Sequence, residues 1–254
     1  MLLTPFFSAA ILLRQVSWLE PVALAAIVCA FAIKNPLVVI ARQRTVWKQE
    51  HAESKTAKRV VVIELLLLGA CAITLAVGAG WRLFLPFVVG GGTFTFLAVV
   101  VNVRNRQRSE WFQVASAVAL TSTSLVACIS VQGSIPEWSW WLWLLSALQA
   151  AAGIFVVHAR LNARIAANKG GVSDGGSRRA AFLAKLSLIV AAISFAFLQR
   201  FWIAAALLSA AACYLMELRR QTDTRSLQMP LTRVGKQALA LSILYSVLVI
   251  IGLW

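Results

Sequence analysis

The sequence is poor in acidic residues and in histidine. It has nine Asp and Glu residues against 24 Lys and Arg residues, and its two histidines are His51 and His158. With His51 in a polar stretch, the pair cannot form a bis-histidine haem site between helices. The sequence also lacks the Walker loop and the GxSxG and HExxH motifs. These absences exclude the enzyme classes that depend on those motifs, and we predict no metal ion and no cofactor.

Cysteine is scarce and scattered. Cys29, Cys71, Cys128 and Cys213 share no spacing, and each lies in an apolar run. Metal sites use CxxC-type pairs, and disulfide frameworks use exposed loops. Neither pattern is present, so we expect the four thiols to be small buried hydrophobic groups.

Long apolar runs dominate the chain. Its 254 residues are 60% hydrophobic and 13% charged, with a mean hydropathy of +0.81, whereas soluble domains are roughly 25% charged. Runs of about 20 apolar residues cross the ~30 Å of hydrocarbon in a bilayer. The sequence predicts one all-α domain, a polytopic transmembrane helical bundle over 1–254. About nine spans are predicted, near 1–13, 19–36, 60–77, 83–103, 111–131, 138–158, 180–198, 201–218 and 237–254.

The net charge of +15 would indicate nucleic acid as a partner of a soluble chain. Here the basic residues, including the flanking Lys185, gather in alternate links between spans, and only Arg14, Arg82 and Arg200 fall on the opposite side. The positive-inside rule then predicts a cytoplasmic N-terminus and an external C-terminus. We predict no nucleic-acid partner. The predicted partner is the anionic inner leaflet of a bacterial cytoplasmic membrane, and the oligomeric state stays open.

The N-terminal segment has no basic stretch followed by an Ala-x-Ala site. A cleavable signal peptide normally has both. We therefore expect the apolar residues of the first run to remain in the mature protein.

Basic and amide side chains recur at the predicted cytoplasmic ends of the spans. Arg104 and Arg108 are four residues apart and would share a helix face if helix continued there. A basic pocket at this depth suits a phosphate or a lipid headgroup. The alternative is a basic collar that touches ordinary anionic lipid. The candidate anion- or headgroup-binding residues are Lys34, Arg104, Arg108, His158, Arg160 and Asn162.

Polar residues also lie inside the predicted spans. Glu64 is about one turn inside the third span, and its carboxylate needs an ion pair with Arg59 or with an arginine of 104–108, or else a ligand or proton-coupled role. Hydroxyls at 121–124 and the amide of Gln149 either bond across helices or line a cavity. The candidate cavity-lining residues are Glu64, Thr121, Ser124 and Gln149.

Two further segments have two interpretations each. The basic stretch 37–59 is either a helix along the membrane surface or a solvated loop. The triplet 90–92, three glycines inside the fourth span, indicates either close approach of another helix or a broken helix.

Short motifs lie at the ends of the spans, at 34–37 (KNPL), 101–108, 157–160 (VHAR) and 230–235. These motifs resemble those of the YwiC-like family of bacterial multi-pass membrane proteins. The resemblance implies a membrane protein but no biochemical activity to carry over. Family members open with a His-Gly-Ala-Trp stretch, and residues 1–5 resemble the segment directly after that stretch. Either translation starts upstream or the motif is absent, so no role of that histidine is assigned.

A nine-helix bundle with a cytoplasmic N-terminus is also similar to the UbiA-type intramembrane prenyltransferases. Those enzymes use aspartate-rich motifs to hold Mg²⁺ against a diphosphate. The equivalent places in this chain have Lys34, Asn35, Arg160 and Asn162. A shared architecture is therefore predicted, whereas metal-dependent prenyl transfer is not.

The sequence leads to three functional hypotheses. The first is a non-enzymatic membrane protein that binds or transports a small or lipidic anion from the cytoplasmic side. The second is a membrane enzyme that acts on a polyprenyl or phospholipid substrate, with arginines in place of the metal. The third is an accessory or assembly subunit of a membrane complex.

Overall fold

The computed structural model describes residues 3–48, 53–106, 109–169, 175–221 and 231–254. Over these ranges it contains helices and no strand, which confirms the all-α prediction. A π-helical turn, Gln43–Trp47, follows the third helix. The helices are α1 (Thr4–Leu13), α2 (Leu19–Ala32), α3 (Lys34–Arg42), α4 (Glu53–Ala79), α5 (Trp81–Val103), α6 (Glu110–Thr121), α7 (Thr123–Gln132), α8 (Glu137–Lys169), α9 (Gly175–Phe197), α10 (Phe201–Arg220) and α11 (Leu231–Leu253).

Eight helical segments of the described chain are long and apolar enough to cross a membrane, which confirms a multi-pass membrane protein. A further apolar helix, α1, has 10 residues and is therefore only about 15 Å long, half the hydrocarbon thickness. The sidedness of the termini depends on the number of crossings and stays a prediction. The eight segments are Leu19–Trp47, Glu53–Ala79, Trp81–Val103, Glu110–Gln132, Glu137–Ala167, Gly176–Phe197, Phe201–Arg220 and Val234–Leu253.

The basic stretch 37–59 is neither a separate surface helix nor a loop in its described parts. Residues 37–47 continue the helix of the preceding span, and residues 53–59 begin α4. The break between α2 and α3 falls at Ile33, one turn before Pro36. Proline has no N–H to donate to the carbonyl four residues earlier, so the helix changes direction there but does not end. Residues 49–52 lie outside the described ranges.

The fourth span is an unbroken helix through its three glycines. A Cβ built on Gly90, Gly91 or Gly92 finds no atom within 4 Å. Within the described chain, therefore, the triplet marks neither a broken helix nor the close approach of a second helix. Both interpretations drawn from the sequence are corrected on this point.

The fifth span is divided into α6 and α7 by Ser122, which has φ −64° and ψ −7°. The hydroxyls of Thr121, Ser122, Thr123 and Ser124 each donate to the carbonyl three residues earlier, at distances of 2.7–3.1 Å. Such bonds compete with the regular helix bonds and bend a helix. Four adjacent hydroxyls therefore account for a break that hydropathy does not show.

The chain forms two compact units. Unit 2 is Leu13–Trp140, and in it α2 and α3 pack against α4 while α3 also packs against α5. A Cβ on Gly78 would lie 2.8 Å from the side chain of Leu19, so the start of α2 lies directly against the end of α4. Glycine at this position permits the contact.

Unit 1 is Met1–Leu12 together with Trp141–Trp254, and α10 packs against both α9 and α11. The buried face of α10 is rich in alanine, which lets membrane helices approach closely. Aromatic hydroxyls join the helices across this core. Tyr245 donates to the carbonyl of Leu145 at 3.0 Å, and Tyr214 donates to the carbonyl of Gln149 at 3.3 Å.

Gly252 marks the closest approach of α11 to α10. A Cβ there would lie 2.6 Å from Cγ1 of Ile203 and 3.0 Å from its backbone N, whereas a Cβ on Gly235 meets nothing within 4 Å. We expect Gly252→Ala to lower the apparent Tm in detergent by about 5 °C, because overpacking costs roughly 1–3 kcal/mol. Gly235→Ala, in the same helix, should leave the Tm unchanged or slightly higher. Equal Tm values for the two variants would contradict the packing of α11 on α10.

Candidate functional site

A pocket of about 710 Å³ lies between α9 and α10 in unit 1. Its lining combines four cationic side chains with four apolar ones, and we call it the α9–α10 pocket. The eight lining residues are Arg178, Arg179, Phe182, Leu183 and Lys185 of α9 and Leu215, Leu218 and Arg219 of α10.

Helical spacing places these residues on two facing surfaces. Arg178, Phe182 and Lys185 stand at i, i+4 and i+7 on α9, so they share one face. Leu215, Leu218 and Arg219 stand at i, i+3 and i+4 on α10. The three-residue link that ends at Arg200 makes the helices antiparallel, so the beginning of α9 lies beside the end of α10. The arginines of both helices therefore collect at one end of the pair, and Lys185 lies deeper along α9.

Lys185 is the unusual residue of the pocket. The charge pattern groups it with the cations of the basic link, although it lies within the predicted span 180–198. In the structure it lies inside the spanning helix, ten residues after Gly175 and about 15 Å along the axis. It is only 7% exposed, and its Nζ lies 4.4 Å from the centroid of the Phe182 ring. No acidic partner is found for it in the part of the chain that the structure describes. A buried ammonium group in a spanning helix is costly without an anion, and cation–π contact offsets only about 2 kcal/mol.

The carboxylate on this stretch of α10 points elsewhere. Glu217 lies two residues, or about 200° of helix rotation, from both Leu215 and Arg219. Its Oε1 accepts from Nη1 of Arg160 on α8, and the two side chains are 17% and 9% exposed. Glu217 is therefore neutralised outside the pocket, and the lining has no acidic residue among those that the structure describes.

The residues predicted to bind a headgroup belong to two units and do not line the α9–α10 pocket. In unit 1, His158 is buried, Arg160 is paired with Glu217 and Asn162 is half-buried, all on α8. Their role in headgroup binding stays a prediction.

In unit 2, Lys34 is half-buried at the start of α3, with its Nζ 5.7 Å from the Phe31 ring centroid. Arg104 is exposed at the end of α5. Arg108 lies outside the described residues. Headgroup binding by these three side chains likewise stays a prediction.

The end of α5 is held by an arginine that the sequence pattern did not single out. Nη2 of Arg42 donates to the carbonyl of Asn102 at 2.9 Å and to Oδ1 of Asn105 at 3.0 Å. Asn102 is itself buried, and its Nδ2 donates to the carbonyl of Ala98 at 3.0 Å. The contact joins the helix that begins with the KNPL motif to the 101–108 stretch. Only their common resemblance to one family indicated a relation between these two motifs.

Two polar side chains of unit 2 have unbonded buried atoms. Gln43 is 4% exposed, and neither Oε1 nor Nε2 has a hydrogen-bond partner in the described chain. Oε2 of Glu64 is likewise buried without a partner. The predicted ion pair of Glu64 with Arg59 or the 104–108 arginines is not found among the described residues, and its ligand or proton-coupled role stays a prediction.

Three of the four predicted cavity-lining residues, Thr121, Ser124 and Gln149, are bonded within or between helices. The hydroxyls of Thr121 and Ser124 donate to carbonyls of their own span. Nε2 of Gln149 lies 3.5 Å from Oγ of Ser242 on α11, inside unit 1. None of these residues, nor Glu64, lines the α9–α10 pocket, and a cavity at their positions stays a prediction.

A model of the YwiC-like protein family matches residues 1–129. The chain belongs to the YwiC-like family. The matched part of this YwiC-like protein includes the 34–37 and 101–108 motifs, whereas the 157–160 and 230–235 motifs and the α9–α10 pocket lie beyond it. No curated protein and no solved structure matched the chain. The likeness to UbiA-type enzymes therefore stays a prediction.

The ion pair of Arg160 and Glu217 generates a stability prediction for the YwiC-like protein. We expect Arg160→Met to lower the apparent Tm by on the order of 10 °C, because removal of one partner from a buried pair costs about 3–5 kcal/mol. The double variant Arg160→Met/Glu217→Gln should recover at least half of that loss. Arg164→Met, on the same helix, is the control with little effect. A single variant as stable as the wild type would contradict a buried pair.

The unbonded amide of Gln43 generates a second stability prediction. Leaving a buried polar group without a partner costs about 1–3 kcal/mol, so Gln43→Met, which is similar in volume, should raise the apparent Tm by a few degrees. Gln113→Met, at a half-buried residue that has other contacts, is the comparison and should not raise it. A lower Tm for Gln43→Met would show that the amide is bonded in the protein in the membrane.

Proposed function

We propose that this YwiC-like protein binds a lipidic anion from the cytoplasmic side and that the α9–α10 pocket receives its headgroup. The observation that carries the proposal is Lys185, a cation buried in a spanning helix whose ammonium group contacts an aromatic ring and no carboxylate of the described chain. A charge at such a position usually marks a functional site, and the lack of a counterion among the described residues supports an anion as the ligand. The role in the membrane is binding; transport of the bound anion is a further hypothesis.

The shape and composition of the pocket support an amphiphilic ligand. Phe182, Leu183, Leu215 and Leu218 provide apolar walls, and Phe182 and Leu183 are also exposed on the outer surface of α9. In a bilayer that surface faces hydrocarbon, so a lipid chain can lie against it while the headgroup enters between the helices. The positive end of the α9 helix dipole lies at the same end of the pocket and adds a favourable field for an anion.

The proposal includes a membrane and an orientation. Basic residues at the ends of α3, α5 and α10 and around the beginning of α9 are expected to face the cytoplasm of a bacterial inner membrane. The anionic lipids of that leaflet are then next to the mouth of the α9–α10 pocket. Anionic lipid is thus the partner that the pocket meets at the highest concentration.

Catalysis on a polyprenyl or phospholipid substrate is the weaker alternative. The eight lining residues include no carboxylate, histidine, serine or cysteine. Such groups supply most nucleophiles and general bases in enzymes. Arginine and lysine side chains in an apolar pocket can hold a charged headgroup without them, so binding is favoured.

The test measures lipid binding by the purified protein with native mass spectrometry. We expect phosphatidylglycerol to bind more tightly than phosphatidylcholine with the same acyl chains. Arg178→Gln/Arg179→Gln should weaken phosphatidylglycerol binding by about 30-fold, because each cation near anionic lipid contributes roughly 1 kcal/mol.

The control is Arg44→Gln/Arg59→Gln, which removes the same charge from exposed arginines outside the pocket. It should weaken binding less than about threefold. Equal losses in both pairs would indicate a general attraction to the basic surface and would contradict a site at α9–α10. No preference for the anionic lipid in the wild type would contradict the proposed function itself.

A further inference from the structure

We infer that the group held in the α9–α10 pocket is a terminal phosphate, a phosphomonoester or diphosphate with about two negative charges, and not a phosphodiester. The inference rests on the proposed function and specifies its ligand. Three features of the pocket carry it: the number of cations, the depth of Lys185 and the absence of acidic residues from the part of the lining that the structure describes.

The cation count exceeds what a phosphodiester can neutralise. Arg178, Arg179 and Lys185 of α9 line the pocket, and no carboxylate lines it among the residues that the structure describes. Lys185 is buried, and the two arginines are exposed at the mouth of the pocket. A phosphodiester has one negative charge, so it would balance the buried lysine and leave no second charge for the arginines. A terminal phosphate has a charge of about −1.5 to −2 near pH 7 and three strong acceptor oxygens. A terminal phosphate therefore neutralises more of the positive charge of the pocket.

The depth of Lys185 favours a phosphate with free oxygens on several sides. Arg178 is two helical turns nearer the beginning of α9 and on the same face, about 10 Å away along the axis. An anion between them can receive hydrogen bonds from the ammonium on one side and from the guanidinium groups on the other. Three terminal oxygens can accept from both sides at once. A phosphodiester has two such oxygens and a second ester substituent that must also fit among the cations.

The charge on Glu217 does not enter this balance. Its carboxylate is on the opposite side of α10 and is paired with Arg160. If that pair faced the pocket, an internal carboxylate could serve as the anion for Lys185. Because it does not, no carboxylate of the described chain balances the pocket cations, and we assign this negative charge to the ligand.

The experiment compares three lipids with the same acyl chains: phosphatidic acid, phosphatidylglycerol and phosphatidylcholine. Binding to the full chain is measured by native mass spectrometry at pH 6 and pH 8. We expect phosphatidic acid to bind about fivefold or more tightly than phosphatidylglycerol at pH 8, because it has the additional charge. The preference should fall at pH 6, where the second phosphate ionisation is half complete. Phosphatidylglycerol binding should not change.

Lys185→Met tests the residue that defines the inference. It should remove the preference for phosphatidic acid over phosphatidylglycerol, whereas Lys185→Arg, the matched variant, should retain it. If Lys185→Met does not purify as a folded protein, Arg178→Gln gives the same comparison at the mouth of the pocket, and loss of the preference there supports the inference. A preference that survives in the folded variant of either residue overturns it.

The outcomes separate the inference from the proposed function. Equal binding of phosphatidic acid and phosphatidylglycerol, both above phosphatidylcholine, overturns the terminal phosphate and leaves anionic-lipid binding intact. No lipid above phosphatidylcholine overturns the proposed function. Competition with glycerol phosphate shows whether the terminal phosphate belongs to a lipid or to a soluble molecule. Displacement of phosphatidic acid by an equal concentration of glycerol phosphate supports a soluble ligand. Continued binding of phosphatidic acid supports a lipid.

Discussion

The cost of an uncompensated charge in hydrocarbon governs how this protein arranges its polar residues. A lysine or arginine at the centre of a membrane helix costs about 2.5–3.5 kcal/mol even on the most lenient scales. Most basic side chains avoid this cost because they lie at helix ends. Examples are residues 37–47, which form the end of α3 and the π-helical turn after it, and residues 53–59, which begin α4. A basic side chain that lies deeper needs a neutralising partner. The few deep charged residues therefore give the most information about where the chain pairs its own groups and where it binds a ligand.

Unit 1 contains three arrangements of polar or charged side chains inside the spans. Arg160 and Glu217 neutralise each other between α8 and α10. The hydroxyls of Tyr214 and Tyr245 donate to carbonyls of α8, which satisfies the hydroxyls and joins the helices. Lys185 contacts an aromatic ring and no carboxylate of the described chain. The first two arrangements are complete within the chain and therefore stabilise the fold, whereas we propose that an external anion completes the third. This difference is the reason for placing the site at α9–α10.

Unit 2 divides its polar groups in the same way. Arg42 donates two hydrogen bonds to residues at the end of α5, so it joins α3 and α5 at their basic ends. Gln43, the next residue, is buried without a bond in the described chain, and it begins a π-helical turn, a geometry that often accompanies functional sites. The family match covers almost all of this unit. The part of the chain that the family match covers is therefore a helical scaffold with basic ends.

Local composition by itself determined the helical class, the membrane location and the approximate limits of the spans, because about 20 apolar residues have only one stable arrangement in hydrocarbon. It also determined the family, through motifs such as 34–37. Only the tertiary structure decided that Glu217 pairs with Arg160 and that Lys185 and Arg219 line one cleft from two helices. Each of these contacts depends on which helices are neighbours and on how each helix is rotated about its axis. Many different arrangements of the helices have the same span lengths and the same charge bias, so these two properties of the sequence do not select one arrangement. The predicted site that includes Arg104 and His158 grouped residues by membrane depth, which local composition gives, and it stays a prediction.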